Sequence, residues 1–266
     1  MSKIIACVNQ KGGVAKSTTI KNLSIGIALK GKKVLVVDLD PSGGLTKSLG
    51  LMPADNEGAT VQIFGAAVRG DELPEGHGIV AHEEGIDLIT SSLNLMSYKM
   101  QLISTFQREL ILQKYLEPIK DNYDYILLDC PGDLDIFTMN ALFCADSVII
   151  PTEAEFNSVE AMQHVFMEIA KVRRLKGSRT TPGILGVLFT GVRDNTTNDK
   201  QVMQTVRTNY EGKVRVFNTY IPLSTNIPSS DAHQKSIYKF APNSSAAMVQ
   251  MDFVNEILQL VEGEEE

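Results

Sequence analysis

The chain has 266 residues, 43% of them hydrophobic, and a formal net charge of −7, enough material to bury a sizeable core. No apolar run approaches the roughly 18 residues that span a bilayer, and no long apolar signal core opens the chain, so a membrane-spanning helix is not expected and a cytoplasmic protein is. The acidic balance argues against a wholly basic nucleic-acid binder, and Cys7, Cys130 and Cys144 have neither metal-ligand spacing nor an even disulfide count.

The first apolar run, Ile4-Ile5-Ala6-Cys7-Val8, leads into Asn9-Gln10-Lys11-Gly12-Gly13-Val14-Ala15-Lys16-Ser17-Thr18 and then a helical segment from Ser17 to about Lys30. Strand, glycine loop and helix in that order make an anion cradle, because adjacent glycines turn backbone N–H groups inward and the helix adds the positive end of its dipole. Lys16 then reaches the β- and γ-phosphates, and the Ser17 hydroxyl ligates Mg2+. Gln10 and Ala15 stand where the strict P-loop pattern wants glycine; the loop fits K-G-G-x-x-K-[ST] instead.

Lys33-Val34-Leu35-Val36-Val37-Asp38 reads as a strand buried on both faces, and Asp38-Leu39-Asp40-Pro41 places two carboxylates at its C-terminal end. Val61 to Val68 is helical, Arg69 to Gly78 a polar turn region and Ile86 to Ile89 a short strand. Asn94 to about Ile119 has the periodicity of a helix or helix pair, with Leu102, Phe106, Leu110 and Leu116 packing inward. Tyr125-Ile126-Leu127-Leu128-Asp129 is a second buried strand ending in an acid; after a P-loop it reads as a Walker B strand, with Asp129 in the Mg2+ shell.

Ile136 to Cys144 is a helix, Ser147 to Thr152 a strand, and Ser158 to Leu175 an amphipathic helix with Met162, Phe166 and Ile169 inward. Gly183 to Thr190 is a strand, Asp199 to Tyr210 a helix and Val216 to Ile221 a final strand. The last helix, Ser245 to Val261, sets Met251, Val254, Leu258 and Val261 against Gln250, Asp252, Asn255, Glu256 and Gln259. Its polar face has no lysine, so core packing rather than membrane docking is expected. The alternation of strands and helices predicts an α/β fold, a mostly parallel, twisted central sheet with helices on both faces, and no repeat or linker divides 1–266, so one domain is preferred. From Lys171 to Arg215 ten basic residues stand against three acids, while acids gather elsewhere, as at positions 262–266.

The two-lysine loop resembles the deviant Walker A motif of the ParA/MinD family of dimeric ATPases. The similarity runs through nearly the whole chain and is nearest to ParA-type DNA partition ATPases: Asp38-Leu39-Asp40-Pro41, Tyr125 to Pro131, Asn140-Ala141-Leu142, Ala145 to Val148, Ile150-Pro151, Glu155 and Glu160 all sit in family-like order. The resemblance implies a three-layer P-loop NTPase fold and Mg2+-dependent hydrolysis of ATP. Residues Lys11, Gly12, Gly13, Val14, Ala15, Lys16, Ser17 and Thr18 would hold the nucleotide, with Lys11 crossing to the partner subunit's nucleotide in a homodimer. Asp40 would position the attacking water, and Asp38 and Asp129 would shape the metal surroundings with Ser17. It also implies a ParB-type centromere-binding partner and an ATP-bound sandwich dimer on non-specific DNA, with nucleoid association. Neutral residues in Ile221 to Asn226 and Pro242 to Ser245 occupy places where relatives often carry arginine or lysine, which leaves Lys171 to Arg215 as the DNA-binding candidate. Positioning of a protein cargo or of division machinery, a nucleotide-sensing module and an iron–sulfur reductase are the alternatives.

Overall fold

A computed structural model describes residues 2–52 and 58–263; the acids at 264–266 lie outside the described residues. In chain order, β1 (Lys3–Cys7), α1 (Lys16–Leu29), β2 (Val34–Asp38), α2 (Gly44–Ser48), α3 (Ala59–Arg69), β3 (Ile79–Ala81) and β4 (Asp87–Ile89) form the first half. Then follow α4 (Tyr98–Gln101), α5 (Ile111–Leu116), β5 (Tyr125–Asp129), α6 (Ile136–Cys144), β6 (Ser147–Glu153) and α7 (Phe156–Leu175). The chain continues through β7 (Gly183–Val192), α8 (Thr197–Tyr210), β8 (Ile221–Pro222), α9 (Asn226–Ala232), α10 (Ile237–Phe240) and α11 (Ser245–Gly263).

The strands join in one eight-stranded sheet of order β3-β4-β2-β5-β1-β6-β7-β8, parallel except where β3 meets β4. Alternation along each strand divides the apolar residues between two layers. Ile4, Ala6, Leu35 and Val37 face a core that includes Phe64 of α3, Phe137 of α6 and Met162 and Ile169 of α7. Ile5, Cys7, Val34 and Val36 face the opposite core, with Ile20 and Leu23 of α1 and Phe253 and Ile257 of α11. The expected three-layer α/β/α architecture is therefore present. β1 pairs with β5 on one side and β6 on the other, so the chain order reverses around it, and a crevice at the C-terminal ends of the strands is the consequence. Register sets Cys7 level with Asp129, and Asp129 level with Asp38.

Four local expectations need correction. The segment Asn94 to Ile119 is no continuous helix or helix pair: a 3₁₀ turn at Leu93–Ser97 precedes the short helix α4, and turns at Leu102–Ser104 and Arg108–Leu110 separate α4 from α5. Thr105 is extended and Gln107 left-handed, and the Asn140 side chain of α6 takes over where the helix breaks, accepting from Leu112 N–H and donating to the Arg108 carbonyl. Phe106, expected in the core, is 84% exposed at this break, whereas Leu102 and Leu116 are buried as expected.

The strand expected at Val216 to Ile221 shrinks to an isolated bridge between Val187 and Val216 and the pair Ile221–Pro222 at the sheet edge, where proline's missing N–H costs no ladder bond. Phe217 lies between these, its ring over Gly186 and edge-on to Phe253. The three-residue antiparallel β3 was not anticipated. On α11 the buried line runs through Ala246, Gln250, Phe253, Ile257 and Val261, so Gln250 points inward, not to solvent.

α1 and α11 pack closely through Gly26: a methyl group there would meet Val254 Cγ2 at 2.5 Å and the Tyr238 hydroxyl at 2.7 Å. Gly26→Ala is expected to destabilise the protein by about 1–3 kcal/mol, because neither a β-branched side chain nor a rigid phenol ring can step aside. Urea unfolding measures this, and an unchanged midpoint would mean the two helices can separate freely.

Candidate nucleotide site

The crevice holds a cleft of about 490 Å³. On one side lie Gly12, Gly13, Ala15, Lys16, Ser17 and Thr18, the loop and first turn of α1. The first turn of α1 has no acidic residue, so its dipole presents uncompensated positive charge to the cleft. The loop is curled by Gly13 at φ 80° and by Ala15 at φ 60°, ψ 33°, both left-handed. A side chain in that region costs about 1–2 kcal/mol, which is why glycine is wanted at position 15 and why its alanine is a strained residue. The Lys16 ammonium donates to the Lys11 carbonyl at 3.2 Å and closes the loop. Tethers from neighbouring strands hold it: Asn9 Nδ2 donates to the Pro151 carbonyl at 2.6 Å, and Thr190 Oγ1 to the Val14 carbonyl at 3.2 Å. Val14 itself is buried, so its contribution to the cleft is backbone.

Asp38 and Asp129 lie side by side at the ends of β2 and β5, and both are fully buried. Asp38 accepts from Thr46 N–H at 2.9 Å, Thr46 Oγ1 at 2.6 Å and Asp40 N–H at 3.0 Å. It thereby anchors the turn that carries Asp40 to the cleft wall. Burial pushes its pKa up to about 6 despite those donors. Asp129 is held well above the usual carboxylate range, first by burial and then by the charge of Asp38, with Ser17 and Lys16 opposing. Neither Asp129 oxygen has a well-formed hydrogen bond among the described residues. A buried, under-satisfied carboxylate beside a serine hydroxyl is an oxygen-donor set that fits Mg2+, a hard cation that draws its remaining ligands from water and phosphate. Gly132, just beyond β5, closes over the loop; a methyl group on it would lie 3.9 Å from both Gly12 Cα and Lys16 Nζ.

Lys11 does not itself line the cleft, although Glu153, one of the acids that hold it, does. Its ammonium binds Glu153 at 2.5 Å and Glu155 at 2.7 Å, with the Ser158 hydroxyl at 3.5 Å. These acids raise its pKa, although burial works against them, and Lys11 in turn lowers that of Glu155. Glu153 ends β6 and was missed, although an acid closing a buried parallel strand is the same signal that marks Asp38 and Asp129. Glu160 is exposed on α7.

The remaining lining of the cleft, also missed, comes from Thr190, Gly191, Ile221, Pro222, Leu223, Ser224, Ile227, Pro228, Asp231 and Gln250. Below it Lys21 is fully buried and paired with Asp231. Of the ten cations between Lys171 and Arg215, seven are exposed; Arg173, Lys176 and Arg207 are partly buried and donate to the carbonyls of Pro182, Phe143 and Phe217. Cys7, Cys130 and Cys144 are free and buried. No helix of the described residues is long and apolar enough to cross a membrane.

A family model described as an AAA domain matches residues 2–180. The chain is 35% identical over 257 residues to the sporulation initiation inhibitor protein Soj of Bacillus subtilis, covering 97% of this chain and 98% of that one. It is 34% identical over 262 residues to the chromosome-partitioning ATPase Soj of Treponema pallidum, covering 97% and 98%. Cobyrinic acid a,c-diamide synthase from Mycobacterium smegmatis, solved with bound ADP and magnesium, superposes with a TM-score of 0.82 at 27% identity over 99% of this chain and 97% of that one.

The raised Asp38 has a defined consequence. Between the ordinary aspartate value and about 6 the native state holds a proton that the unfolded chain has released, so stability without nucleotide falls as pH rises through that window. Asp129, raised by the same burial, adds a loss of the same sign. The difference in urea midpoint between the wild type and Asp38→Asn, followed from about pH 4 to 7, should move against the wild type with rising pH; a difference that stays flat contradicts the buried, proton-holding carboxylate.

Proposed function

Since the chain belongs to the ParA/MinD family of deviant Walker A ATPases, we propose that it works as an ATP-dependent dimeric switch in DNA partitioning, on a chromosome, plasmid or other mobile element. It is an ATPase of the partition type. The whole of 1–266 acts as one ATPase domain, in the cytoplasm and on the nucleoid. Lys16 and the backbone of Gly12 to Thr18 take the phosphates. Ser17 and Asp129 hold Mg2+, which neutralises phosphate charge when bound, and Asp38 keeps the carboxylate turn in place. Asp40, on the cleft wall, orients the attacking water. Hydrolysis of this kind is driven by positioning and by neutralising oxygen charge.

The observation that carries the reading is the location of Lys11. It is a loop lysine held outside its own cleft by Glu153 and Glu155, and in the sandwich dimer it leaves them for the partner's nucleotide. ATP occupancy and association are then one event, and hydrolysis ends both. The exposed cations between Lys171 and Arg215 supply contacts to non-specific DNA, and a ParB-type centromere-binding protein stimulates turnover.

Asp40→Ala with saturating ATP is expected to run as a dimer by light scattering while phosphate release is lost. Lys11→Ala is expected to stay monomeric, with turnover down about 10³-fold, the scale of a cation supplied in trans. DNA retention should require ATP and weaken steeply with salt. A monomeric Asp40→Ala under saturating ATP removes the dimer switch, and DNA binding indifferent to ATP removes the coupling to partitioning.

A further inference from the structure

Gln250 is the one residue of α11 whose placement its helix does not explain. It is 1% exposed, on the buried line between Ala246 and Phe253, at a position where packing alone would take leucine or methionine. Its Oε1 has no hydrogen-bond partner among the described residues, and an unsatisfied buried acceptor carries a real cost. Gln250 also lines the cleft, together with Pro222, Leu223, Ile227 and Pro228. Phosphates belong at the loop, where the start of α1 and Lys16 lie. The lining residues Pro222, Leu223, Ile227 and Pro228 offer apolar contacts, Leu223 being 65% exposed, and Gln250 adds a single buried amide. That combination suits a planar heterocycle with hydrogen-bonding groups on its edge.

We infer that Gln250 reads the base of the bound nucleotide: its amide oxygen accepts from the exocyclic amino group of a 6-aminopurine while its amide nitrogen donates to the adjacent ring nitrogen. An amide paired with such an edge matches one donor and one acceptor. The terminal torsion of glutamine is soft and roughly two-fold, so the carbonyl can turn from its buried position to the cleft when the base arrives. The cost of the unpartnered acceptor is then relieved only with base bound, which makes Gln250 a specificity residue and not a packing residue. This inference rests on the nucleotide reading of the cleft.

Calorimetric titration of the full chain in Mg2+ with ADP, with purine riboside 5′-diphosphate, which lacks the 6-amino group, and with inorganic tripolyphosphate separates the two ideas. The wild type should bind ADP more tightly than the deaminated analogue by roughly three- to tenfold, the net worth of a hydrogen bond. Gln250→Met should weaken ADP by about tenfold, lose the preference over the analogue and leave tripolyphosphate unchanged. Equal affinity of the wild type for ADP and the analogue overturns the inference without any variant, as does a folded Gln250→Met that keeps the preference or loses all three ligands together. A wild type that binds none of them fails at the nucleotide reading itself.

Discussion

Two carboxylates buried next to each other are the constraint on which this architecture turns. Asp38 and Asp129 are level because β2 and β5 pair in parallel and in register, and they are buried because both strands are apolar along their length. In a low-dielectric interior such a pair cannot both ionise without a compensating charge. Thr46 and the Asp40 backbone satisfy one of them; Asp129 is left facing the Ser17 hydroxyl and the Lys16 ammonium. On the proposed reading a bound cation would compensate this pair, beside the glycine loop from which Ser17 and Lys16 reach it.

The second lysine is incomplete in a different sense. Lys16 is turned inward by the loop carbonyl it binds, whereas Lys11 points to Glu153 and Glu155 at the end of β6 and the start of α7. On the proposed reading those acids store the lysine until a partner's phosphates compete for it. The exchange is close to balanced, because one partly exposed set of charge contacts replaces another, and a near-balanced exchange lets nucleotide binding tip association either way. Gly132, stacked over Gly12 and Lys16, places the segment after β5 where it can register what the loop holds, and Asp135 fixes its other end by capping α6 through the N–H groups of Phe137 and Thr138.

Much of this was legible in the residues, for a definite reason. Strands buried on both faces are runs of β-branched and apolar residues, and a parallel sheet delivers their last residues to one edge, so Asp38, Asp129 and the loop could be placed together from order alone. What stayed hidden depends on contacts between distant parts of the chain. The break at Thr105 to Gln107 is stabilised by Asn140, which lies in another helix. Gln250 was assigned to the wrong side because Met251, Val254 and Leu258 make an apolar stripe of their own, and only packing against α1 and the sheet selects the line through Phe253 and Ile257. Ala15 was visible as a departure, but its left-handed backbone was not.

The central claim is that each active site draws Lys11 from the other subunit, and complementation between two inactive subunits tests it most directly. In a mixture of Lys11→Ala and Asp40→Ala chains, each mixed dimer contains one cleft with an intact Asp40 facing an intact Lys11. Phosphate release by the mixture, at a total concentration where neither variant alone turns over ATP, is the predicted result. A mixture as inactive as its components, under conditions where mixed dimers are shown to form, would place Lys11 in its own subunit's chemistry and contradict the account.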